Sequence, residues 1–221
     1  SSTYCSGVNG TYTFPNVTYV GDPKVVVYLD TNGGVQGSAV TKTPTGNITN
    51  MHIYANRVIT RHQDVLPLTA SDMQLYDYDN DTDLRFLAAT TSLTLLPNTE
   101  LYVFASTTFA PGGNITLTGN GNANSYEGTL QLGANAVFTA AGTETHTLAG
   151  RLVLATTSTL TTASSTFVFN ATTTGKSITS PNTITFNQLQ FNGLGGGWNI
   201  TAPLTILSDM HVATGTVTGT S

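Results

Sequence analysis

Charged residues are scarce in this sequence. They make up 9% of its 221 residues, against about 25% in a typical globular domain. The net charge of −5 and the lack of any basic stripe argue against a nucleic-acid partner. No run of about 18 apolar residues is present, so the sequence predicts no membrane span.

Cysteine is nearly absent, because Cys5 is the one cysteine of the chain. A single cysteine excludes a disulfide within the chain. Two interpretations stay open for it: an incidental thiol, or a covalent link to another subunit or to a missing segment. Cys5 is therefore a candidate intermolecular cysteine.

Helix-forming residues do not dominate either, and the surface chemistry is that of hydroxyls and amides. Threonine, valine, isoleucine, tyrosine and phenylalanine favour pleated sheet, while glycine, asparagine and proline supply turns. This composition predicts a β-rich protein of secreted character. Residues 91–221 show no sustained helical period, which predicts that this region is all-β. No signal peptide is visible at Ser1, so a secreted form would be numbered from after its cleavage.

Candidate glycosylation sites are the asparagines of the N-x-S/T triplets. A chain this rich in asparagine and threonine also produces such triplets by chance. The seven are Asn9, Asn16, Asn47, Asn80, Asn114, Asn170 and Asn199.

A repeated pair of apolar residues, separated by one residue, is the strongest pattern. The pairs are Leu93/Leu95, Ile115/Leu117, Leu130/Leu132, Leu152/Leu154, Phe167/Phe169, Leu189/Phe191 and Leu204/Ile206. From position 93 to 115 the step is 22, from 115 to 130 it is 15, and this alternation continues to position 204. A long and a short step together make a repeat of 37, which is clearest in residues 91–221. Each pair places both side chains on one face of a strand.

Two architectures fit this repeat. In a β-solenoid, similar to a parallel β-helix, each repeat supplies two stacked strands with their turns, of about 18–19 residues each. In tandem antiparallel β-sandwiches, the alternation reflects short and long connections. We favour the solenoid, because a strict repeat is maintained most readily when neighbouring copies contact each other in the same way.

The beginning of the chain lacks the repeat and forms a separate unit in the predicted domain organisation. Residues 1–49 are expected to be an N-terminal β cap or a small β-sandwich module, and residues 50–221 the repeat region. Segments 50–54 and 72–76 match at the longer of the two steps, which extends the predicted strand ladder back to about residue 50.

An acidic run provides the candidate metal site, consisting of Asp77, Asp79, Asp81 and Asp83. In an extended strand these carboxylates lie on one face and repel each other, and oxygen ligands suit Ca²⁺. The run departs from a calcium-binding loop, since Thr82 replaces the turn glycine and Ala88 the bidentate glutamate. A solvated acidic loop is the alternative, and no other cofactor is predicted.

The candidate acids and bases are dispersed, which predicts no catalytic site. After residue 90 they are Glu100, Glu127, Glu144, Asp209, His146 and His211, and none recurs with the repeat. His52 and His62, which flank Arg57 and Arg61, are interpreted as surface groups. Trp198 is interpreted as a core residue, with a sugar-stacking platform as the alternative.

Several segments resemble those of large secreted β-strand-repeat surface proteins of uncultivated, ultrasmall bacteria. The similar segments are NITNMHIYANRVITRHQD at 47–64, LYDYDNDTD at 75–83, FAPGGNITLTG at 109–119, FNATTTGKSIT at 169–179 and TFNQLQFNGLGGGWNI at 185–200. The resemblance implies a repetitive surface architecture assembled into filaments, without catalytic residues to carry over.

The sequence therefore leads to two hypotheses about function. The first is a structural subunit that assembles with itself into an extracellular filament or layer, through stacked ends or a donated strand such as 12–20 or 211–218. The second is an adhesin module that holds glycans or a host surface through exposed tyrosine, asparagine and tryptophan side chains.

Overall fold

The chain folds into a stack of parallel β-coils. The computed structural model describes residues 12–15, 17, 23–31, 34–43, 47–63 and 66–219. Strands account for 48% of the residues and helix for 2%, and the stack has about eight turns. The predicted β-solenoid is thus confirmed, and the tandem antiparallel sandwiches are not formed.

The described residues form seventeen strands and one short helix. They are β1 (Lys24–Tyr28), β2 (Ser38–Lys42), β3 (Arg57–His62), α1 (Ala70–Met73), β4 (Phe86–Ala89), β5 (Ser92–Leu95), β6 (Glu100–Val103), β7 (Thr108–Phe109), β8 (Asn114–Leu117), β9 (Thr129–Leu132), β10 (Val137–Thr139), β11 (Thr145–Leu148), β12 (Leu152–Leu154), β13 (Thr159–Thr161), β14 (Thr166–Phe169), β15 (Lys176–Thr179), β16 (Ile184–Ile200) and β17 (Leu204–Gly219).

Three faces surround one core. The first face is formed by β1, β2, β3, β6, β9, β12 and β15, the second by β4, β5, β8, β11 and β14, and the third by β7, β10 and β13. Strand β16 joins the first two faces, because its residues 188–191 pair with β14 and its residues 198–200 pair with β15. Strand β17 follows β16 in parallel along its whole length.

Stacking in register places like residues above one another. On the second face, Leu93 pairs with Ile115, His146 with Phe167, and Phe167 with Leu189. These inward side chains are at most 1% exposed. The outward positions beside them carry Thr94, Thr116, Thr147, Val168 and Gln190. All but Val168 are polar, so the alternation along each strand separates core from surface.

Aromatic rings extend the core between coils. Phe138 packs edge-on against Phe109 at 6.0 Å and against Phe167 at 6.4 Å between ring centroids. Phe167 in turn lies 5.2 Å from Phe186. Such edge-to-face pairs contribute roughly 0.5–1.5 kcal/mol beyond the area that they bury.

The structure corrects the interpretation of the repeat. The longer step joins stacked partners on neighbouring coils, as between Leu130 and Leu152. The shorter step instead joins different faces, as from Leu152 on β12 to Phe167 on β14. One coil therefore corresponds to the longer step alone. The repeat made of both steps joins strands on two different faces, and these strands are not stacked on each other.

Stacking begins earlier than residue 50. Strand β2 pairs in parallel with β3, so residues 38–42 belong to the ladder, while β1 adds to β2 in antiparallel orientation. The two segments matched at 50–54 and 72–76 are not strands. The first is irregular, and the second begins at the end of α1, whose N-terminus is closed by a capping box between Thr69 and Asp72.

Glycine is required at one turn between the third and second faces, because the backbone of the neighbouring coil comes very close there. A Cβ atom added to Gly113 would stand 1.9 Å from the carbonyl oxygen of Thr91 on the coil below. At Gly142, in the equivalent turn of the next coil, the nearest atom to an added Cβ is the Glu144 carboxylate at 4.0 Å. Gly113 therefore leaves no room for a side chain, whereas Gly142 at the equivalent position does.

We expect Gly113→Ala to lower the free energy of unfolding by about 1–3 kcal/mol, because the backbone of two coils must separate. Gly142→Ala should leave it unchanged or raise it slightly. Urea denaturation of both variants measures the difference. Equal stability of the two would contradict the assigned close approach.

Candidate functional site

Strand β17 has one unpaired edge among the described residues. It runs for 16 residues and pairs with β16 on one side, with no strand of the described chain on the other. Its inward residues Met210 and Val212 are 45% and 46% exposed, whereas their register partners Leu189 and Phe191 are fully buried. We call this surface the β17 edge.

The β17 edge offers both backbone and apolar groups to a partner. An unpaired strand presents a row of N–H and C=O groups that readily pair with another strand. Leu204, Ile206 and Val217 are packed against the core but remain partly exposed. The edge is therefore a surface that a further strand would complete.

The opposite side of the stack is closed on two faces. On the second face, Tyr78 donates its backbone N–H to Phe86, and the carboxylate of Asp77 accepts the backbone N–H of Ala88 at 2.9 Å. On the third face, α1 is attached through the N–H of Ala70, which donates to the Pro111 carbonyl. These contacts cover the backbone that a stacking strand would need.

The acidic run forms turns, which corrects the expected extended strand. Asp77 Oδ1 accepts the backbone N–H of Asp79, and Asp81 Oδ2 accepts the Tyr28 hydroxyl at 2.7 Å. Asp83 accepts the N–H of Thr31 and the side-chain amide of Gln36. The acidic run is therefore hydrogen-bonded to β1 and to the β1–β2 connection. The hydrogen bond to Asp81 raises the pKa of Tyr28.

The calcium site stays a prediction. Within the described part of the chain, no group of three or more histidine, cysteine, aspartate or glutamate side chains is placed to hold a metal ion. If Ca²⁺ nevertheless binds the run at Asp77–Asp83, EDTA should lower the melting temperature and added Ca²⁺ should restore it. An unchanged melting curve would contradict calcium binding.

The candidate modification sites are spread over the surface. Asn47, Asn80, Asn114, Asn170 and Asn199 are exposed. Cys5, Asn9 and Asn16 lie outside the described residues. Glycosylation and an intermolecular cysteine link therefore remain predictions.

A cluster of aromatic and basic side chains covers the outside of β3 and β6. Arg57 lies over the rings of Tyr54 and Tyr102, at 5.5 and 5.3 Å from their centroids. Its Nε atom is 3.0 Å from Glu100 Oε1, an ion-pair distance without hydrogen-bond alignment. Burial raises the pKa of Glu100 to about 7, although Arg57 opposes the shift.

The neighbouring side chains complete this cluster. Arg61 is buried and donates to the backbone carbonyls of Thr49 and Asn50, and its guanidinium lies over the ring of Phe104. His52 stacks on Phe104 at 5.5 Å, and His62 Nε2 accepts the N–H of Thr108. Arg61 and His52 thus hold segment 47–56 against the first face, and His62 attaches β3 to β7, which is more than a solvated surface role.

The remaining acids occupy separate corners. Glu127 is 2% exposed, and its carboxylate accepts the backbone N–H groups of Asn120, Gly121 and Asn122. The carbonyl of Asn122 accepts a hydrogen bond from Nζ of Lys176 at 2.8 Å. Glu127 therefore organises a loop that sequence reasoning missed, because its donors are backbone groups with no side-chain signature.

Glu144 lies in another turn, before β11. Burial acts to raise its pKa, but hydrogen bonds from the backbone N–H groups of residues 141, 142 and 144 hold it below its usual value. Asp209 and His211 are exposed on β17. The structure therefore does not bring the candidate acids together at one site.

Trp198 is a core residue, as predicted. Its side chain is 1% exposed and packs against Phe191 at 5.2 Å and Phe169 at 6.3 Å between ring centroids. A Cβ at Gly193 or Gly196 would stand 2.8 or 2.7 Å from the indole ring. The two glycines thus allow the backbone to pack directly against the indole ring. Because the ring is buried, the alternative of a sugar-stacking platform is wrong.

His146 is the least expected core residue. It is 1% exposed, its ring lies 4.9 Å from that of Phe167, and neither ring nitrogen has a hydrogen-bond partner among the described residues. Burial lowers its pKa to about 4, while Glu144 opposes the shift. The side chain is neutral in the folded protein at pH 7, since a charged imidazole there would be desolvated.

We expect His146 to cost the folded protein stability as the pH falls from about 6.5 towards 4. Over this range the unfolded chain binds a proton at His146 that the folded chain does not, which costs about 2–3 kcal/mol by pH 4.5. Glu100, whose pKa is raised to about 7, acts in the opposite direction in every variant, so the test compares the change in the free energy of unfolding between pH 7.5 and 4.5, measured by urea denaturation. This change should favour the folded state more in His146→Leu than in the original chain, while Thr147→Val, at the outward neighbour, should match the original chain; the same change in both variants contradicts the assignment.

The fold defines the class of this chain, a β-solenoid repeat protein. No family model matches it, and comparison with curated proteins and with solved structures finds no match. No helix of the described residues is long and apolar enough to cross a membrane.

Proposed function

We propose that this chain is a structural subunit of an extracellular, self-assembling cell-surface filament or layer. The observation that supports the proposal is the in-register ladder of parallel coils, in which each strand accepts the next one along its backbone. A strand that continues such a ladder gains main-chain hydrogen bonds along its length. At β17 it would also cover the exposed side chains of Met210 and Val212.

Composition supports the same proposal. Only 9% of the residues are charged, and the outward positions of the second face carry Thr94, Thr116 and Thr147 on adjacent strands. A surface of uncharged hydroxyls has little like-charge repulsion to keep copies apart. The proposed role is non-catalytic.

The alternative is an adhesin that binds glycans. It is supported by the Tyr54 ring, which is 41% exposed beside Arg57 and His52. Aromatic rings with polar neighbours are suited to recognition of partly apolar, hydroxyl-rich ligands. Trp198 does not contribute, because it is buried.

Electron microscopy of the purified chain tests the two roles. We expect filaments with a constant rise, or ordered layers, when the protein is concentrated at neutral pH. Dispersed particles at every concentration would contradict the structural role. Dispersed particles that bind defined members of a glycan array would support the adhesin.

A further inference from the structure

We propose that the outside of the first face carries a binding site for a carboxylate-bearing polysaccharide, in which Arg57 holds the carboxylate. We call it the Arg57 site, and it consists of His52, Tyr54, Arg57, Glu100 and Tyr102. The inference does not rest on self-assembly and goes beyond it. It also gives the glycan-binding alternative a defined class of ligand.

The guanidinium of Arg57 is held in place while its hydrogen-bond donors remain available. It lies 5.5 and 5.3 Å from the ring centroids of Tyr54 and Tyr102, and its Nε atom is 3.0 Å from Glu100 Oε1. Within the described part of the chain, no acceptor is aligned with these donors, and the side chain is 30% exposed. A guanidinium in this state can bind both oxygens of a carboxylate. The other arginines each donate to a backbone carbonyl: Arg61, Arg85 and Arg151.

The charge of the first face complements an anionic ligand. Among its described strands, the outward positions carry three arginines and one acid, which are Arg57, Arg61, Arg151 and Glu100. The chain as a whole has a net charge of −5. A locally positive face on an acidic protein directs anions to that face.

Two exposed rings beside Arg57 favour a sugar as the carrier of the carboxylate. The planes of His52 and Tyr54 are parallel to within 1°, with their centroids 6.0 Å apart. Such rings present an apolar face next to a polar edge. A pyranose likewise has an apolar face of C–H groups and a rim of hydroxyls. A uronic-acid unit can therefore place its ring on Tyr54 and its carboxylate at Arg57.

Glu100 competes with such a ligand for Arg57. It is 3% exposed, with Arg57 facing it from β3, Tyr102 beside it on β6, and the uncharged Thr129 next to it on β9. Burial raises its pKa to about 7, so Glu100 gains a proton as the pH falls from 8 to 6. The charge of Arg57 is then uncompensated, and we expect the ligand to bind more tightly. Protonation of His52 would act in the same direction.

Calorimetric titration of the full chain with trigalacturonate at pH 8 separates these two contributions. Glu100→Gln should bind about three- to tenfold more tightly than the original chain, because Arg57 then faces no competing carboxylate. The protonation of His52 does not enter a comparison made at one pH. Equal affinity of the two proteins would place the carboxylate away from Arg57 and overturn the assignment.

A pair of arginine variants tests whether the site is specific. Arg57→Gln should weaken binding about tenfold or more, because it removes both the charge and the paired donors. Arg151→Gln is the matched control: it removes the same charge from the same face, three strand spacings or about 14 Å from β3. It should bind within about threefold of the original chain. An equal loss in both variants would indicate general attraction to the face and contradict the site.

The ring platform is tested without touching the buried carboxylate. Tyr54 and Tyr76 are 41% and 38% exposed, and Tyr76 lies after α1. Tyr54→Ala should weaken trigalacturonate binding about fivefold or more, whereas Tyr76→Ala should leave it unchanged. The same affinity in both variants would contradict stacking on Tyr54.

Two further probes identify the class of ligand. Neutral trigalactose should bind at least about tenfold more weakly than trigalacturonate, because it has no group for Arg57. Triglutamate should also bind more weakly, because it has no pyranose ring for Tyr54. A peptide that binds as tightly as the uronate would identify an acidic peptide as the partner and overturn the polysaccharide.

Binding and assembly are measured separately, so the two proposals can fail independently. Filaments or layers formed by a chain that does not bind trigalacturonate would overturn the Arg57 site and leave the structural role standing. Binding by particles that stay dispersed at every concentration would support the Arg57 site and contradict self-assembly.

Discussion

Hydrogen bonding between coils in register is the constraint on which the rest of this structure depends. Each coil offers its backbone to the next at the same positions, so inward side chains must stack on inward side chains. The column of Leu93, Ile115, His146, Phe167 and Leu189 shows how strictly this holds, even for a histidine. Stability is then shared among nearest neighbours, as in other repeat architectures, and a coil with a neighbour on one side alone has incomplete contacts.

Part of the fold could be predicted from the sequence because it depends on local alternation. The apolar pairs identify the strands, and the longer of their two spacings matches one coil. The shorter spacing is misleading, because spacing alone does not say which face a strand occupies. Leu152 and Phe167 both point into the core, yet they stand on different faces.

The candidate sites were harder to predict, because their partners come from distant parts of the chain. Asp81 meets Tyr28 across 53 residues, and Glu127 binds backbone N–H groups that no residue type reveals. The burial of Trp198 could be predicted, since its apolar neighbours indicate a core position whatever the fold. The unpaired edge of β17 was visible only once the pairing of every strand was known.

The number of residues in a coil varies along the stack, whereas the strands of neighbouring coils keep their register. The coil from Leu101 to its stacked partner Leu130 is longer than the one from Leu130 to Leu152, because the loop anchored by Glu127 is accommodated at a corner. The coil from Val58 to Leu101 is longer still, with α1 and β4 inserted. Corners are therefore places where new sequence can enter without disturbing the ladder, and a surface of this kind can diversify one corner at a time while its scaffold stays the same.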